Sequence, residues 1–326
     1  MGSVKPKVAV VTRTKNRNLL LERALKSVQS QTMQDFVQVV INDGGDKAAV
    51  EKLTSNYPKD KIVLIHNDSS VGFTKALNQG IKAIDSTYVA ILDDDDSWAD
   101  NCLEEAVNLL DKKDAKGLVV IMDRIIEEIK GDTIVRISQN RWLPEMEYVS
   151  LYKQCIDNYL ATNCFIYRRD VYDELDGYDE KLGVAEDWDF GLRFLQKYDV
   201  ELLQTKKPLA FYHHRPEAKG DIGNSVFAGV SDHVYHQHML ANKYLRQDIE
   251  KGVFGIGYII NSLKYDREQN RVSRKQELDD IVRLEGHMNH VGRGIDESIV
   301  SLRRTVESNA FKRIKRKAGD ILKRHV

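Results

Sequence analysis

The chain has 326 residues, of which 42% are hydrophobic and 30% are charged. A chain of that length is longer than one small domain requires, so a domain with a buried core could carry an additional segment. The net charge of −1 gives no electrostatic basis for whole-chain nucleic-acid binding, so no nucleic-acid partner is expected. Three cysteines without a CxxC pair argue against a disulfide framework and a thiolate zinc site.

The first residues run directly into a strand-like segment, with no apolar leader before it. No stretch approaches the roughly 20 apolar residues that a membrane span requires. These features predict a cytoplasmic, soluble protein.

Short apolar, β-branched runs alternate with amphipathic segments over the first 117 residues. The predicted strands are Lys7–Thr12, Phe36–Asn42, Lys61–His66 and Tyr88–Leu92, and the predicted helices are Asn18–Gln31, Lys47–Asn56, Thr74–Asp85 and Asn101–Lys112. Such alternation indicates βαβ units and a mostly parallel sheet. Ligands of these sheets bind at the carboxyl ends of the strands, which here carry Thr12–Arg13, Asp43–Gly44 and Asp93–Asp96.

The pattern changes to an antiparallel excursion after Leu118. The elements predicted there are strands Val119–Met122, Arg124–Lys130, Thr133–Ser138, Asn163–Arg168, Val200–Gln204 and Leu209–Tyr212, helices Arg169–Glu174 and Glu186–Lys197, and a polar loop from His213 to Val226. Mainly helix is expected beyond Ser231. Apolar residues recur every seven positions from Ile281 to Leu302, a coiled-coil-like seam that glycines interrupt, so a packed helical hairpin is an equal alternative.

Four adjacent aspartates, Asp93 to Asp96, follow the fourth predicted strand. Like charges at the end of a buried strand cost stability unless a cation lies among them. Carboxylate oxygens suit Mg²⁺ and Mn²⁺, and those ions bridge phosphate oxygens. The alternative is a solvated acidic loop or a cap on the next helix. The run predicts a metal and phosphate site.

Three further polar clusters each have a functional and a structural interpretation. Asp43 can accept hydrogen bonds from a base or ribose, or form a plain Asp-Gly turn. Asp187 can act as a general base, or the acidic start of its helix can serve capping alone. The stretch from Tyr212 to Arg215 can supply an imidazole to a metal and a guanidinium to a diphosphate, or be an exposed polar loop.

Together these motifs resemble family 2 glycosyltransferases with the GT-A fold. The matching segments are Val10–Arg17, Asn42–Gly44, Gly72–Gly80, Leu92–Trp98, Leu175–Glu180 and Glu186–Asp189, in an order and spacing that agree over residues 7–215. The resemblance implies an α/β fold with a Rossmann-like, mixed but mostly parallel sheet flanked by helices. A GT-A domain over 1–230 would comprise a nucleotide-sugar half (about 1–117) and an acceptor half (about 118–230), followed by a helical extension over 231–326.

The resemblance also implies roles for matching residues. The residues expected to bind the nucleotide sugar are Thr12, Arg13, Asp43, Lys75, Asp93, Asp94 and Arg215, with Asp43 binding a uracil. Lys75 would supply the charge of an arginine that the family often carries at the position of Leu77. Asp93 and Asp95 would form the DxD pair. The metal ligands are expected from Asp95 or Asp96 and from His214 or its neighbour His213.

The implied reaction is inverting transfer of a sugar from a nucleotide sugar, UDP-linked for preference, to a hydroxyl, with Asp187 as the base and Mn²⁺ or Mg²⁺ as the cofactor. The acceptor would be a glycan, a lipid-linked molecule or a protein, in bacterial polysaccharide or surface-glycan synthesis. One alternative is a non-catalytic nucleotide-sugar-binding subunit of GT-A shape. A nucleotidyltransferase is a weaker alternative, because no glycine follows the first strand before Asn18.

A basic tail contrasts with an acidic body. From Arg303 to Val326 there are nine Lys and Arg residues and two acids, which leaves a net charge of −8 on the remainder. A helix with one apolar face would lie on anionic lipid as a peripheral membrane contact. Packing on the acidic body, or self-association through the C-terminal helices, is an equal alternative.

Overall fold

A seven-stranded sheet forms the centre of residues 1–263, the first of two compact units in this computed structural model; the second is residues 264–326. The structure describes residues 5–218, 220–224, 230–263, 297, 299–305, 307–308 and 312. In chain order the strands are β1 (Val8–Thr14), β2 (Phe36–Asp43), β3 (Ile62–Asn67), β4 (Tyr88–Ile91), β5 (Ser97–Trp98), β6 (Gly117–Val120), β7 (Met122–Lys130), β8 (Thr133–Arg141), β9 (Phe165–Arg168), β10 (Glu201–Leu203) and β11 (Ala210–His214).

The helices lie between and after these strands. They are α1 (Asn18–Gln29), α2 (Lys47–Thr54), α3 (Phe73–Lys82), α4 (Cys102–Lys113), α5 (Leu151–Ile156), α6 (Arg169–Glu174), α7 (Glu186–Leu195) and α8 (Val230–Lys251), with short 3-10 turns at Thr162–Cys164 and Gly220–Ile222. Residues 256–263 are also helical.

The large sheet has the order β10-β6-β9-β4-β1-β2-β3. Only β9 in it runs antiparallel to its neighbours, β4 and β6. A second sheet, β5-β11-β7-β8, stands beside it. The predicted mixed, mostly parallel α/β fold is therefore confirmed, as is the antiparallel β7–β8 excursion.

Helices on the sheet faces explain why β1 and β2 are buried along nearly their whole length and why most of their residues are apolar. α1 buries one stripe of side chains, from Leu20 to Val28, at helical spacing. α3 lies closest to the sheet at Gly80, where an added Cβ would come within 2.5 Å of the Ile41 side chain. The first 117 residues are thus packed around the strand ends that carry the polar motifs.

The chain leaves the large sheet for the small one at Ile121. Its carbonyl accepts hydrogen bonds from the amides of Leu209 (2.8 Å) and Ala210 (3.2 Å). The single strand predicted for Val119–Met122 is therefore split between β6 and β7. The apolar run is continuous across this bend, so periodicity did not reveal it.

The loop predicted from His213 to Val226 is wrong at its start. β11 continues through His213 and His214, which pair in register with Ile125 and Ile126 of β7. A strand with polar side chains is stable here because both imidazoles are buried against other elements. The short elements β5 and α5 were not predicted.

The helix expected beyond Ser231 is present as α8 and residues 256–263. Leu240 and Tyr244 of α8 form an apolar cluster with Leu182, Leu192 and Ile260. The domain boundary predicted at residue 230 stays a prediction. Because of this cluster, the helix α8 that begins at that residue packs within the first compact unit.

Most of the second unit cannot be compared with its predictions. The seam residues Ile281 to Ile295, and the basic tail apart from Arg303–Thr305, 307–308 and Lys312, lie outside the described residues. The described positions from 297 to 312 are helical. Within the described parts of the chain, no helix combines the length and apolarity needed to cross a membrane.

Asn78 of α3 joins the two halves of the first unit, which leads to a stability prediction. Its buried amide donates to the Tyr178 carbonyl (2.9 Å) and accepts from the Tyr172 hydroxyl (2.7 Å) and the Tyr178 amide (3.1 Å). Asn78→Ala would leave these groups unsatisfied and should lower the free energy of unfolding by roughly 2–4 kcal/mol, measured by urea denaturation. Lys82→Ala, an exposed change on the same helix, should cost far less; equal losses would contradict the assignment.

Candidate active site

The acidic run lies at the carboxyl edge of the large sheet, directly after β4. Asp94 accepts from the Thr14 hydroxyl (2.7 Å) and Arg17 (3.1 Å). Asp96 accepts from the Asn163 side chain (2.5 Å) and the His213 amide (2.9 Å). These two carboxylates therefore tie the run to β1 and β11.

Asp93 and Asp95 have a different environment. Thr162 donates to Oδ2 of Asp93 (3.3 Å), while the buried Oδ1 has no hydrogen-bond partner among the described residues. Asp95 accepts from Arg215 (2.5 Å), Asn224 (3.1 Å) and Arg17 (3.5 Å), and in the described part of the chain all three donors contact Oδ2. One carboxylate oxygen of each residue thus stays available to a further ligand.

The pKa values reflect this crowding. Burial, followed by the charges of Asp95 and Asp94, raises the pKa of Asp93 to about 7. Burial and the charge of Asp95 likewise raise the pKa of Asp94, and burial with the charges of Asp95 and Asp93 raises that of Asp96. A positive charge placed among these groups would lower all three pKa values.

A buried ion-pair network lies behind Asp95. Arg215, only 1% exposed, pairs with both Asp95 and Glu127 (2.8 Å to the latter). Glu127 also accepts from Arg23 (2.8 Å) and faces Nδ1 of His213 (2.6 Å). Burial raises the pKa of Glu127, but the bonds from His213 and Arg23 outweigh it and bring the pKa to about 2. The network fixes the position of Asp95.

Arg17 holds the segment after β11 against the acidic run. Its guanidinium donates to the carbonyls of Asp221 (2.5 Å) and Gly223 (2.6 Å) while it pairs with Asp94. Arg17, Glu127 and Asn224 were not predicted as site residues. Arg17 lies in the segment Val10–Arg17 that matches the family, so that motif could have indicated it. The partners of Glu127 come from distant parts of the chain, so no local pattern marks this residue.

Asp43 ends β2, and β1 lies between it and the acidic run that follows β4. It accepts from the Val71 amide (2.8 Å), Ser70 (2.8 Å), Asn67 (3.0 Å) and Arg13 (3.0 Å). Burial raises its pKa, but these donors bring it down to about 2.

The end of β1 connects the two acidic groups. Arg13 pairs with Asp43, and the next residue, Thr14, bonds Asp94. Thr12 is buried, and its hydroxyl accepts from Gln38 (3.0 Å), while Lys75 is exposed on α3. The nucleotide-binding roles predicted for Thr12 and Lys75 stay predictions.

Asp187 lies at the start of α7, and its charge reaches Asp93 of the acidic run. Asn158 donates to its Oδ2 (2.7 Å), and the Trp188 amide donates to its Oδ1 (2.7 Å). Burial raises the pKa of Asp187. Its charge in turn contributes to the raised pKa of Asp93 and, after burial, to that of Tyr212. Asp93, Asp95 and Asp187 therefore share one electrostatic environment.

The predicted histidines differ in their surroundings. Both ring nitrogens of His213 lie close to polar groups, Nδ1 to Glu127 and Nε2 to Ser97 (2.8 Å). His214 lies edge-on to Tyr212, and burial, followed by the charge of Arg124, lowers its pKa to about 4. A neutral imidazole is the form that ligates metals. The metal-ligand predictions for both residues, and for Asp96, stay predictions.

The donor set of Asp93 and Asp95 fits a divalent cation. The described residues contain no ready group of three His, Cys, Asp or Glu side chains around a metal position. However, the available oxygens of Asp93 and Asp95 adjoin groups whose pKa values are raised by like charge. A cation held by two carboxylates and by phosphate oxygens of a ligand suits this arrangement.

A comparison with known families identifies the family of this chain. The family model for glycosyl transferase family 2 matches residues 9–176, more than half of the chain. The chain belongs to glycosyltransferase family 2. The predicted family is therefore confirmed, and the acidic run lies within the matched segment of this glycosyltransferase.

Curated relatives agree with this assignment. The glycosyltransferase is 26% identical over 196 residues to the uncharacterised glycosyltransferase YwdF of Bacillus subtilis, covering 60% of this chain and 70% of the relative. It is 24% identical over 191 residues to a PGL/p-HBAD biosynthesis glycosyltransferase of Mycobacterium tuberculosis, covering 58% and 69%.

Solved structures share the GT-A fold. S. aureus TarS 1–349 in complex with UDP-GlcNAc matches with a TM-score of 0.58 at 19% identity, over 73% of this chain and 66% of that one. The mannosyltransferase PcManGT from Pyrobaculum calidifontis, in complex with GDP-Man and Mn²⁺, matches with a TM-score of 0.55 at 17% identity, over 75% and 65%. The glycosyltransferase thus spans just under two thirds of these two proteins.

The environment of Asp43 gives a pH-dependent prediction for the glycosyltransferase. The pKa of Asp43 is lower in the folded protein (about 2) than the ordinary value near 4, so its carboxylate stabilises the fold above about pH 4 and loses this effect as pH falls toward 2. Asp43→Asn should cost about 2 kcal/mol of unfolding free energy at pH 7 and clearly less at pH 3, measured by urea denaturation.

The exposed change Asp60→Asn is the matched control and should have little effect at either pH. A cost of Asp43→Asn that stays constant between pH 7 and pH 3 would show that the charge of the carboxylate is unimportant.

Proposed function

We propose that this glycosyltransferase is an inverting, metal-dependent enzyme that transfers a sugar from a UDP-sugar to an acceptor hydroxyl. The observation that carries the proposal is the convergence of Asp93, Asp95 and Asp187. Two of these acids keep an available oxygen at the sheet edge. The third, on a separate helix, is bound by Asn158, four residues before the Thr162 that binds Asp93, and its charge raises the pKa of Asp93. Sugar binding alone would not require the third carboxylate.

The donor half of the site has groups of suitable chemistry for a nucleoside diphosphate. Asp43 and Arg13 lie at the strand ends where a base and ribose would bind. Arg17 and Arg215 present guanidinium groups beside the DxD pair, where they would stabilise the charge of the diphosphate. TarS, solved with UDP and UDP-GlcNAc, and PcManGT, solved with GDP-Man and Mn²⁺, support a nucleotide-sugar donor.

Asp93 and Asp95 would hold the cation, which when bound neutralises charge that develops on the departing diphosphate. Asp187 would take the proton of the acceptor hydroxyl as its oxygen bonds to the anomeric carbon and the bond to the diphosphate breaks. A raised pKa makes Asp187 a stronger base than an ordinary aspartate. One such displacement inverts the anomeric configuration.

The wider role is part of the same proposal. The similarity to a PGL/p-HBAD biosynthesis glycosyltransferase supports a function in bacterial surface-glycan or polysaccharide synthesis. The acceptor would be a glycan, a lipid-linked molecule or a protein. We also propose that the enzyme acts in the cytoplasm, with the C-terminal helices as its contact with a membrane or a second copy.

Asp187→Asn tests the base. The variant should lose about 10²- to 10⁴-fold in kcat while it binds UDP with Mn²⁺ as the wild type does, because only proton removal is impaired. Transfer is followed as UDP released from a UDP-sugar, and a pyrophosphate assay with nucleoside triphosphates separates a nucleotidyltransferase.

Asp189→Asn is the matched control on the same helix. Asp189 pairs with Arg193 (2.8 Å) and Lys243 (2.7 Å), so its substitution should lower thermal stability more than kcat. Turnover retained by Asp187→Asn would exclude Asp187 as the base.

Asp95→Asn tests the metal assignment. Calorimetric titration should show that Mn²⁺ no longer strengthens UDP binding, with affinity reduced at least about tenfold. The exposed turn variant Asp132→Asn should behave as the wild type. Unchanged Mn²⁺-dependent affinity in Asp95→Asn would refute the role of this carboxylate.

A further inference from the structure

One arginine of the small sheet has no counterion in the described part of the chain. Arg124 of β7 is partly exposed, and its buried Nε has no hydrogen-bond partner among the described residues. The adjacent Asp123 pairs instead with Arg141 (2.8 Å). By contrast, Arg17 and Arg215 beside the acidic run each pair with a carboxylate. A partly buried guanidinium without a partner costs free energy, which an anionic ligand would offset.

Arg124 belongs to a cluster with two aromatic side chains. In the parallel pairing of β7 with β11, Arg124 is the register partner of Tyr212, so both side chains lie on the same face of the small sheet. The Arg124 guanidinium lies 5.9 Å from the centroid of the Trp142 ring. The Trp142 ring in turn meets the Tyr212 ring edge-on, with 5.6 Å between centroids. These three residues form one contiguous group, the Arg124 cluster.

The Arg124 cluster borders the acidic run through Tyr212. The next residue of β11, His213, donates through its amide to Asp96 (2.9 Å). Burial, followed by the charges of the acidic run and then that of Asp187, raises the pKa of Tyr212. The cluster therefore lies beside the carboxylates of the proposed site.

Resting on the proposed function, we propose that Arg124 is an anion subsite for the acceptor and binds a phosphate or carboxylate group of an acidic saccharide. A guanidinium carries five donors in a planar fork, which matches two oxygens of either group. These donors point outward in the plane of the guanidinium, so a ring against its face, as Trp142 provides, does not occupy them. A guanidinium that is already oriented loses little entropy when the anion binds.

The position of Arg124 favours the acceptor over the donor. In the small sheet, β11 lies between β5, the strand that follows the acidic run, and β7, which carries Arg124. Two strand spacings place β7 roughly 10 Å from β5. The diphosphate of the donor would bind at the acidic run itself, beside Arg17 and Arg215. An anion at Arg124 would instead have β11 between it and the strand that follows the run.

Strained backbone next to Trp142 holds its ring in place. Leu143 has a φ of +48°, in the left-handed region that residues with a Cβ rarely adopt. The Trp142 amide donates to the Met122 carbonyl (3.0 Å), and the Met146 amide donates to the Leu143 carbonyl (3.0 Å). Such strain persists only where the surrounding structure enforces it, and it is concentrated at binding sites. The fold thus fixes the ring that orients Arg124.

Binding of acidic and neutral oligosaccharides tests the anion subsite. The full-length protein, with UDP and Mn²⁺ present, is applied to a printed array that pairs phosphorylated and uronic-acid oligosaccharides with neutral counterparts. The wild type should prefer acidic members, and those it binds show whether the anion is phosphate or carboxylate. Calorimetric titration of the strongest acidic hit should show that Arg124→Gln raises its Kd at least about tenfold, because a charge-assisted, bidentate contact is lost.

Arg136→Gln is the matched control. Arg136 is exposed on the neighbouring strand β8 and donates to Gln139 (2.7 Å), so this variant removes the same charge from the same sheet and should leave the Kd unchanged. Arg124→Gln should bind UDP with Mn²⁺ as the wild type does. It should also melt at the same temperature, because no carboxylate of the described chain loses a partner. Arg124→Lys keeps the charge without the planar fork and should give an intermediate Kd.

Three outcomes would overturn the anion subsite while leaving the proposed function intact. The first is a wild type that releases UDP from a UDP-sugar without preferring acidic oligosaccharides, or an Arg124→Gln variant that retains the preference. The second is an equal loss of UDP affinity in that variant, which would assign the arginine to the donor. The third is a lower melting temperature with an unchanged Kd, which would make the guanidinium structural. A failure to bind or cleave any UDP-sugar would instead refute the proposed function.

Discussion

The concentration of carboxylates at one sheet edge is the constraint on which the rest of this structure depends. Burying like charges side by side costs free energy unless cations or donors compensate. Arg17 and Arg215 supply part of that compensation, and Glu127 holds Arg215 from behind. The compensation is incomplete, because the pKa of Asp93 remains raised. The acidic run therefore keeps an unmet demand for positive charge at the edge where we propose that a nucleotide sugar and its cation bind.

This demand explains why the two sheets meet where they do. β11 passes the acidic run so that the His213 amide caps Asp96 and the His213 ring contacts Glu127 of β7. The bend at Ile121 sends the chain into the second sheet and so brings Glu127 to Arg215, which pairs with Asp95. Fold and site are therefore not separable here, because the strand that leaves the large sheet carries the carboxylate that holds Arg215 against the acidic run.

The sequence predicted the elements of the first 117 residues well because local patterns determine them. Strand and helix periodicities located β1 to β4 and α1 to α4 within a few residues, and strand ends gave Asp43 and Asp93 to Asp96. The second half was harder. Polar residues from His213 onward looked like a loop, whereas burial against Glu127 and Ser97 makes the first two of them part of a strand. Glu127 itself resembled an ordinary strand glutamate, since its three partners come from distant parts of the chain.

The same contrast separates the two sides of the proposed site. Asp43 and Asp93 to Asp96 lie at strand ends within buried hydrogen-bond and ion-pair networks, which tolerate few alternatives and leave a recognisable motif. Asp187 is held by Asn158, which the buried Gln154 holds in turn. Exposed positions around such a buried frame can change without disturbing it. Under the proposed mechanism, in which Asp187 is the base, acceptor choice can therefore diverge within the fold while the chemistry stays constant, so the motifs carry the family and the exposed surface carries the choice of acceptor.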